Sequence, residues 1–222
     1  MEKRITLLAM GLCLSLFSVT ATAVLIDTDQ EPDWRDQPGS TFQQWNFDDE
    51  VAPEQEIGPD AGWVNENDSA LLTYYPGSTS GWENDKYDGH QGVLPLSGSI
   101  KIGIPNFPDQ NPYKDILVQL IWAPETPRGK PLVEVIPGDD AFADDVLMPD
   151  GTQTLSLDGD WNYSQYSFRI YPNPAFEYIW ISGSILVDSV IVDTICVPEP
   201  LSISLLGLGA LLIRHKRRGT AQ

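Results

Sequence analysis

The chain has 222 residues, with 13 Lys and Arg against 32 Asp and Glu and a formal net charge of −19. That length fits one domain with tails or two small domains, and the charge excludes a nucleic-acid partner, which needs clustered cations against phosphate. A hydrophobic content of 41% with 7 Trp, 8 Tyr and 7 Phe excludes a wholly disordered acidic polymer.

In chain order, residues 1–23 read first, as a secretory signal peptide. Glu2, Lys3 and Arg4 form a short charged start, residues 5–19 are mostly apolar, and Ala21-Thr22-Ala23 is a small-x-small site for signal peptidase. The mature chain is expected to begin at Val24. The apolar run is short for a membrane span, which needs about 20 residues.

Residues 24–196 are expected to form one β-domain. Apolar and polar residues alternate, or apolar residues run together, over 42–47, 70–75, 99–104, 116–122, 132–136, 152–157, 161–171, 176–181 and 185–196. Turn signals separate them, among them Pro76-Gly77, Pro137-Gly138, Pro149-Asp150-Gly151 and Asp158-Gly159. No stretch of this region carries a helical period. The pattern predicts an all-β fold, an antiparallel two-sheet sandwich of jelly-roll type. A weak internal echo sets Asn111-Pro112-Tyr113-Lys114-Asp115-Ile116 beside Asn173-Pro174-Ala175-Phe176-Glu177-Tyr178, which suggests two equivalent central strands. Cys196 is the sole mature cysteine, so no intramolecular disulfide forms. Two readings stand for it, a thiol that pairs with another chain and a small buried residue ending a strand.

Span 24–197 has 7 Lys and Arg and 30 Asp and Glu, a net charge of −23. Self-repulsion of that size favours solubility and works against compactness. Carboxylates cluster at Asp139-Asp140, at Asp144-Asp145, at Asp158-Gly159-Asp160 and at Asp48-Asp49-Glu50. Hard cations take several such oxygens in loops, so Ca2+ is the one cofactor these residues suggest. The competing reading of each cluster is a set of solvated loop carboxylates, and none has the spacing of an EF-hand. The segment Ile185-Leu186-Val187-Asp188-Ser189-Val190-Ile191-Val192-Asp193 resembles the closing strand of galactose-binding-like jelly rolls, which include many carbohydrate-binding modules. That resemblance implies that Asp188 pairs with Asp48, Asp49 or Glu50 at a structural calcium.

Catalysis is not expected. His90 is the sole mature histidine, no G-x-S-x-G motif occurs, and the ligand set for zinc is missing. Sugar binding needs flat aromatic faces beside hydrogen-bonding groups. Trp82 and Tyr87, in the polar, glycine-rich residues 81–92, are the candidates, and Trp34 and Trp63 also have polar neighbours. Trp122, Trp161 and Trp180 lie in apolar strands and are assigned to the core.

The C-terminal residues 197–218 have three parts in order. Pro198-Glu199-Pro200 is followed by the apolar residues 201–213 and by Arg214, His215, Lys216, Arg217 and Arg218. As a helix the apolar part rises about 20 Å, short of a hydrocarbon core of roughly 30 Å, and the cations hold its end in the cytoplasm. These residues resemble the PEP-CTERM sorting signal of Gram-negative and related bacteria. The resemblance implies a transient inner-membrane helix, cutting by an exosortase near the Pro-Glu-Pro, and release to the cell surface or the extracellular matrix of a biofilm. The expectation is therefore a non-enzymatic surface or matrix protein, structural or adhesive. The alternative is a calcium-assisted module that binds extracellular polysaccharide.

Overall fold

A computed structural model of the chain describes residues 31–63, 70–77, 90, 92–106, 112–142 and 144–197. The described residues are all-β, with no helix among them. Twelve strands occur: β1 (Ser40–Asn46), β2 (Glu56–Ile57), β3 (Ala61–Trp63), β4 (Leu71–Tyr75), β5 (Leu94–Leu96), β6 (Ser99–Pro105), β7 (Tyr113–Pro124), β8 (Leu132–Pro137), β9 (Gly151–Ser156), β10 (Asn162–Ile170), β11 (Phe176–Ser182) and β12 (Ile185–Val197).

They form two antiparallel sheets. The first has the order β3-β1-β12-β7-β10-β9, with β5 also paired to β12. The second has the order β2-β4-β6-β11-β8. All nine segments expected from the sequence are strands here. The three unexpected ones, β2, β3 and β5, are two or three residues long and too short to show alternation. The sorting helix and signal peptide expected at the two ends lie outside the described residues.

Alternation explains how the sheets face each other. Ile116, Val118, Leu120 and Trp122 of β7, Tyr166, Phe168 and Ile170 of β10, and Val190 and Val192 of β12 point inward from the first sheet. Leu72 and Tyr74 of β4, Ile100, Ile102 and Ile104 of β6, and Ile179 and Ile181 of β11 meet them from the second. A smaller cluster of Val93, Ala123, Trp161 and Leu186 forms separately. The first and last strands are neighbours, with Ser40 opposite Ile195 and Asn46 opposite Ser189. Cys196 is buried at the end of β12, the second of its two readings, and contacts Asn173.

Trp180 departs from its core assignment. It is half-buried and lies outside the core, because Ile179 and Ile181 take the inward positions of β11. In the run Tyr178-Ile179-Trp180-Ile181 every residue is apolar or aromatic, so the inward face is not readable from composition.

Candidate functional site

The outward face of the first sheet carries a groove. On β7 and β10 the odd-numbered residues point away from the core, and the register sets Asp115 opposite Arg169, Leu117 opposite Ser167 and Gln119 opposite Gln165. Arg169 holds Asp115 in a two-pronged ion pair, Nε to Oδ1 at 2.6 Å and NH2 to Oδ2 at 2.8 Å. That bond and the charge of Asp115 raise the guanidinium further above its ordinary range, so it stays charged. The Arg169 head lies 4.5 Å from the centre of the Tyr113 ring, and Tyr113 is 5.1 Å from Tyr171. Asp150, in the turn before β9, accepts the Arg169 backbone N–H at 2.9 Å, while its own N–H reaches Ser167 O at 2.8 Å.

The opposite wall comes from the turns that precede β1. The Arg35 N–H donates to Pro32 O at 2.9 Å, and the Gln37 N–H donates to Trp34 O at 3.1 Å. Arg35 is buried and grips Asp193 of β12 at 2.6 and 2.8 Å. Asp193 also accepts from Gln119 at 3.0 Å, Gln119 accepts from the Tyr163 hydroxyl at 2.6 Å, and Gln165 donates to that hydroxyl at 2.7 Å. A buried polar network therefore clamps the segment bearing Trp34 onto the sheet.

Between these walls is a cleft of about 620 Å3, lined by Trp34, Asp115, Leu117, Asp150, Ser167, Arg169 and Tyr171 among others. A smaller depression of about 250 Å3 continues it over Leu117, Gly151, Gln153, Gln165 and Ser167. Tyr171 is 63% exposed, so its ring is available to a ligand. The size and the mixture of rings with a few placed polar groups suit a small-molecule or oligomer site. Both oxygens of Asp115 are engaged by Arg169, so this acid shapes the groove, whereas Asp150 has one oxygen bonded to a backbone amide.

A second constellation lies where the first and last strands meet. Asp188 sits at an irregularity in the β12 register, between Val187 and Ser189. His90 Nδ1 is 2.9 Å from Asp188 Oδ1, and the His90 ring lies 3.9 Å from that of Trp161. Gly92 makes this approach feasible: its φ is +71°, and a Cβ there would stand 2.3 Å from Phe47 O. Burial raises the Asp188 carboxyl above its ordinary range, His90 pulls it back, and the charge of Asp48 pushes it up again. Of the acids expected beside Asp188, Asp48 is the one whose charge bears on it. Asp188 is engaged by His90, hard cations want six to eight oxygens, and among the described residues no group of three or more His, Cys, Asp or Glu is placed to hold a metal.

The remaining acids are on loops. Asp139, Asp140, Asp144 and Asp145 are exposed after β8, where Asp140 Oδ1 accepts the Phe142 N–H at 3.0 Å. Asp158 and Asp160 are exposed in the β9–β10 turn, as are Asp49 and Glu50 after β1. Trp82 and Tyr87 lie outside the described residues, as do Ala21, Ala23, Pro198, Glu199, Pro200, Arg214, Lys216, Arg217 and Arg218. The sequence reading missed Asp115, Asp150, Arg169 and Tyr171. The available signal was Arg169 itself, one of 7 cations in span 24–197, placed inside an alternating strand.

No family model matches the chain, and no curated protein matches it. Among solved structures, it is similar to the enzymatically active domain of tailspike protein 4 from bacteriophage CBA120, with 12% identity and a TM-score of 0.25. The match covers 73% of this chain, which spans only 20% of the tailspike chain, and a TM-score of 0.25 does not establish a shared fold.

Proposed function

We propose that this chain is an exported, non-enzymatic module of the cell surface or extracellular matrix, and that its sandwich adheres to extracellular polysaccharide through the groove on β7 and β10. The groove carries the reading. Trp34 and Tyr171 offer ring faces to the apolar C–H side of a sugar, and Arg169, Asp150, Ser167 and Gln165 offer donors and acceptors to its hydroxyls.

The sorting half of the reading rests on the tail. Its Pro198-Glu199-Pro200, apolar run and cations stand in the order of a PEP-CTERM signal, with an export leader at the other end of the chain.

A glycan array probed with the parent chain and the Tyr171→Ala variant tests the groove. Sugar binding by the parent that weakens in the variant supports the reading, and equal binding by the two, or an array with no signal, refutes it. Deleting residues 197–222 tests the sorting. Product that still reaches the surface in cleaved form would remove the tail from the account.

A further inference from the structure

The second sheet has an aromatic outer face that the groove reading does not use. Phe176, Tyr178 and Trp180 are half-buried residues of β11, alternating with the buried Glu177, Ile179 and Ile181. Phe176 lies over Gly103 of β6, where a Cβ would come within 2.9 Å of its Cζ and 3.4 Å of Tyr178 Cε1. A glycine at that position therefore lets the rings settle down onto the sheet. The Phe176 and Tyr178 rings are 4.9 Å apart. Tyr75 stacks on Trp180 at 5.8 Å, and Phe142 follows at 6.0 Å. Lys101 Nζ stands between the two tyrosines, 5.6 Å from the Tyr75 ring and 5.5 Å from the Tyr178 ring.

The polar ends of two rings are tied down from the side. Trp180 Nε1 donates to Ala141 O at 3.2 Å, and the Tyr178 hydroxyl donates to Asp139 O at 3.4 Å. Phe142 is 80% exposed. Across the strands, the register places Lys101 on one side of Trp180 and Glu134 on the other. A donor and an acceptor thus flank the rings, which is the chemistry of a ligand with a C–H face and a hydroxyl rim.

Charge selects the occupant. The chain carries −19, and Asp139, Asp140, Asp144 and Asp145 lie exposed in the loop that borders this face. A second acidic copy, an anionic lipid surface or a polyuronate would meet repulsion there. A neutral glycan meets none. In the groove, Asp115 and Asp150 against Arg169 give the same preference.

We infer that the outer face of the second sheet is a second site for a neutral polysaccharide. The two sites lie on opposite faces of the sandwich, so one copy bridges two glycan chains and cross-links the matrix. This inference rests on the groove reading for its other half. Full chain is run by affinity electrophoresis through gels containing β-glucan, xyloglucan, galactomannan or a polyuronate. Light scattering then follows mixtures with the same polymers.

The parent should be retarded by at least one neutral polymer and not by the polyuronate, and should aggregate the neutral one. Trp180→Ala and Arg169→Ala should each weaken retardation about tenfold and bind without aggregating. Phe142→Ser repeats the test on an exposed loop ring, away from the sheet. If Trp180→Ala and Phe142→Ser aggregate the polymer as the parent does, the second site is refuted and the groove stands. If no form is retarded by a neutral polymer, both readings fall.

Discussion

Lys114 of β7 and Glu177 of β11 form a buried ion pair that ties the first sheet to the second, and Asn106 bonds to both partners. The two strands are the ones the Asn-Pro echo sets side by side, and each is an interior strand of its own sheet. Taking two charges out of water costs several kcal/mol per ion, so such a pair contributes little over an apolar pair of the same volume. Breaking it is different. Lys114→Met or Glu177→Leu alone leaves one uncompensated charge in the core and should cost about 3–5 kcal/mol. The double replacement should come within about 1 kcal/mol of the parent or exceed it. Urea unfolding of the four proteins measures the difference.

Stability should depend on pH through two carboxyls that burial pushes up, Glu177 and Asp188. Each holds its proton more tightly folded than unfolded. Its contribution is therefore complete below the ordinary carboxylate range and is lost as pH rises through the raised value. Repulsion among the many other acids also eases on acidification, so the informative quantity is a difference. The unfolding free energy of the parent minus that of Asp188→Asn should fall as pH rises through that window and level off above it. A difference that rises with pH would contradict the raised carboxyl.

Arg35 and Asp193 should matter to the groove through Trp34. Asp193→Asn leaves a buried guanidinium without its counter-charge, at a cost of about 3–5 kcal/mol. It also loosens the turns over 32–37. Limited proteolysis should cut the variant within residues 31–39 while the parent stays intact there, and sugar binding should weaken with the wall.

Arg169 and Asp115 should behave in the opposite way. Their pair is partly exposed, 49% and 24% by side chain, and solvent-screened surface pairs add little to stability. Arg169→Ala should melt with the parent in calorimetry yet lose affinity for the glycan.

Much of the scaffold is legible in the sequence, and much of the site is not. The alternation of Ser99-Ile100-Lys101-Ile102 and the apolar run from Ile116 to Trp122 announce strands because burial on one face imposes period two. Leu94-Pro95-Leu96 announces nothing, since three residues carry no period. The resemblance of the last strand to galactose-binding-like jelly rolls implies an acid after the first strand near Asp188, Asp48, Asp49 or Glu50, and the charge of Asp48 bears on it here. His90, Asp188's actual partner, was not readable, because the contact depends on how the chain passes over Phe47 at Gly92. The groove depends on cross-strand register, Asp115 against Arg169, and on the fold-back of Trp34. Neither is local in sequence. Trp180 was misplaced because hydrophobicity alone does not tell the core side of a strand from an aromatic outer face.

The most direct measurement is an isothermal titration of the strongest glycan-array ligand into the parent chain and into a Trp34→Ala, Tyr171→Ala double variant. The account predicts saturable binding by the parent and a loss of about tenfold or more in the double variant, with both proteins melting alike. Equal affinity in the two proteins would contradict it.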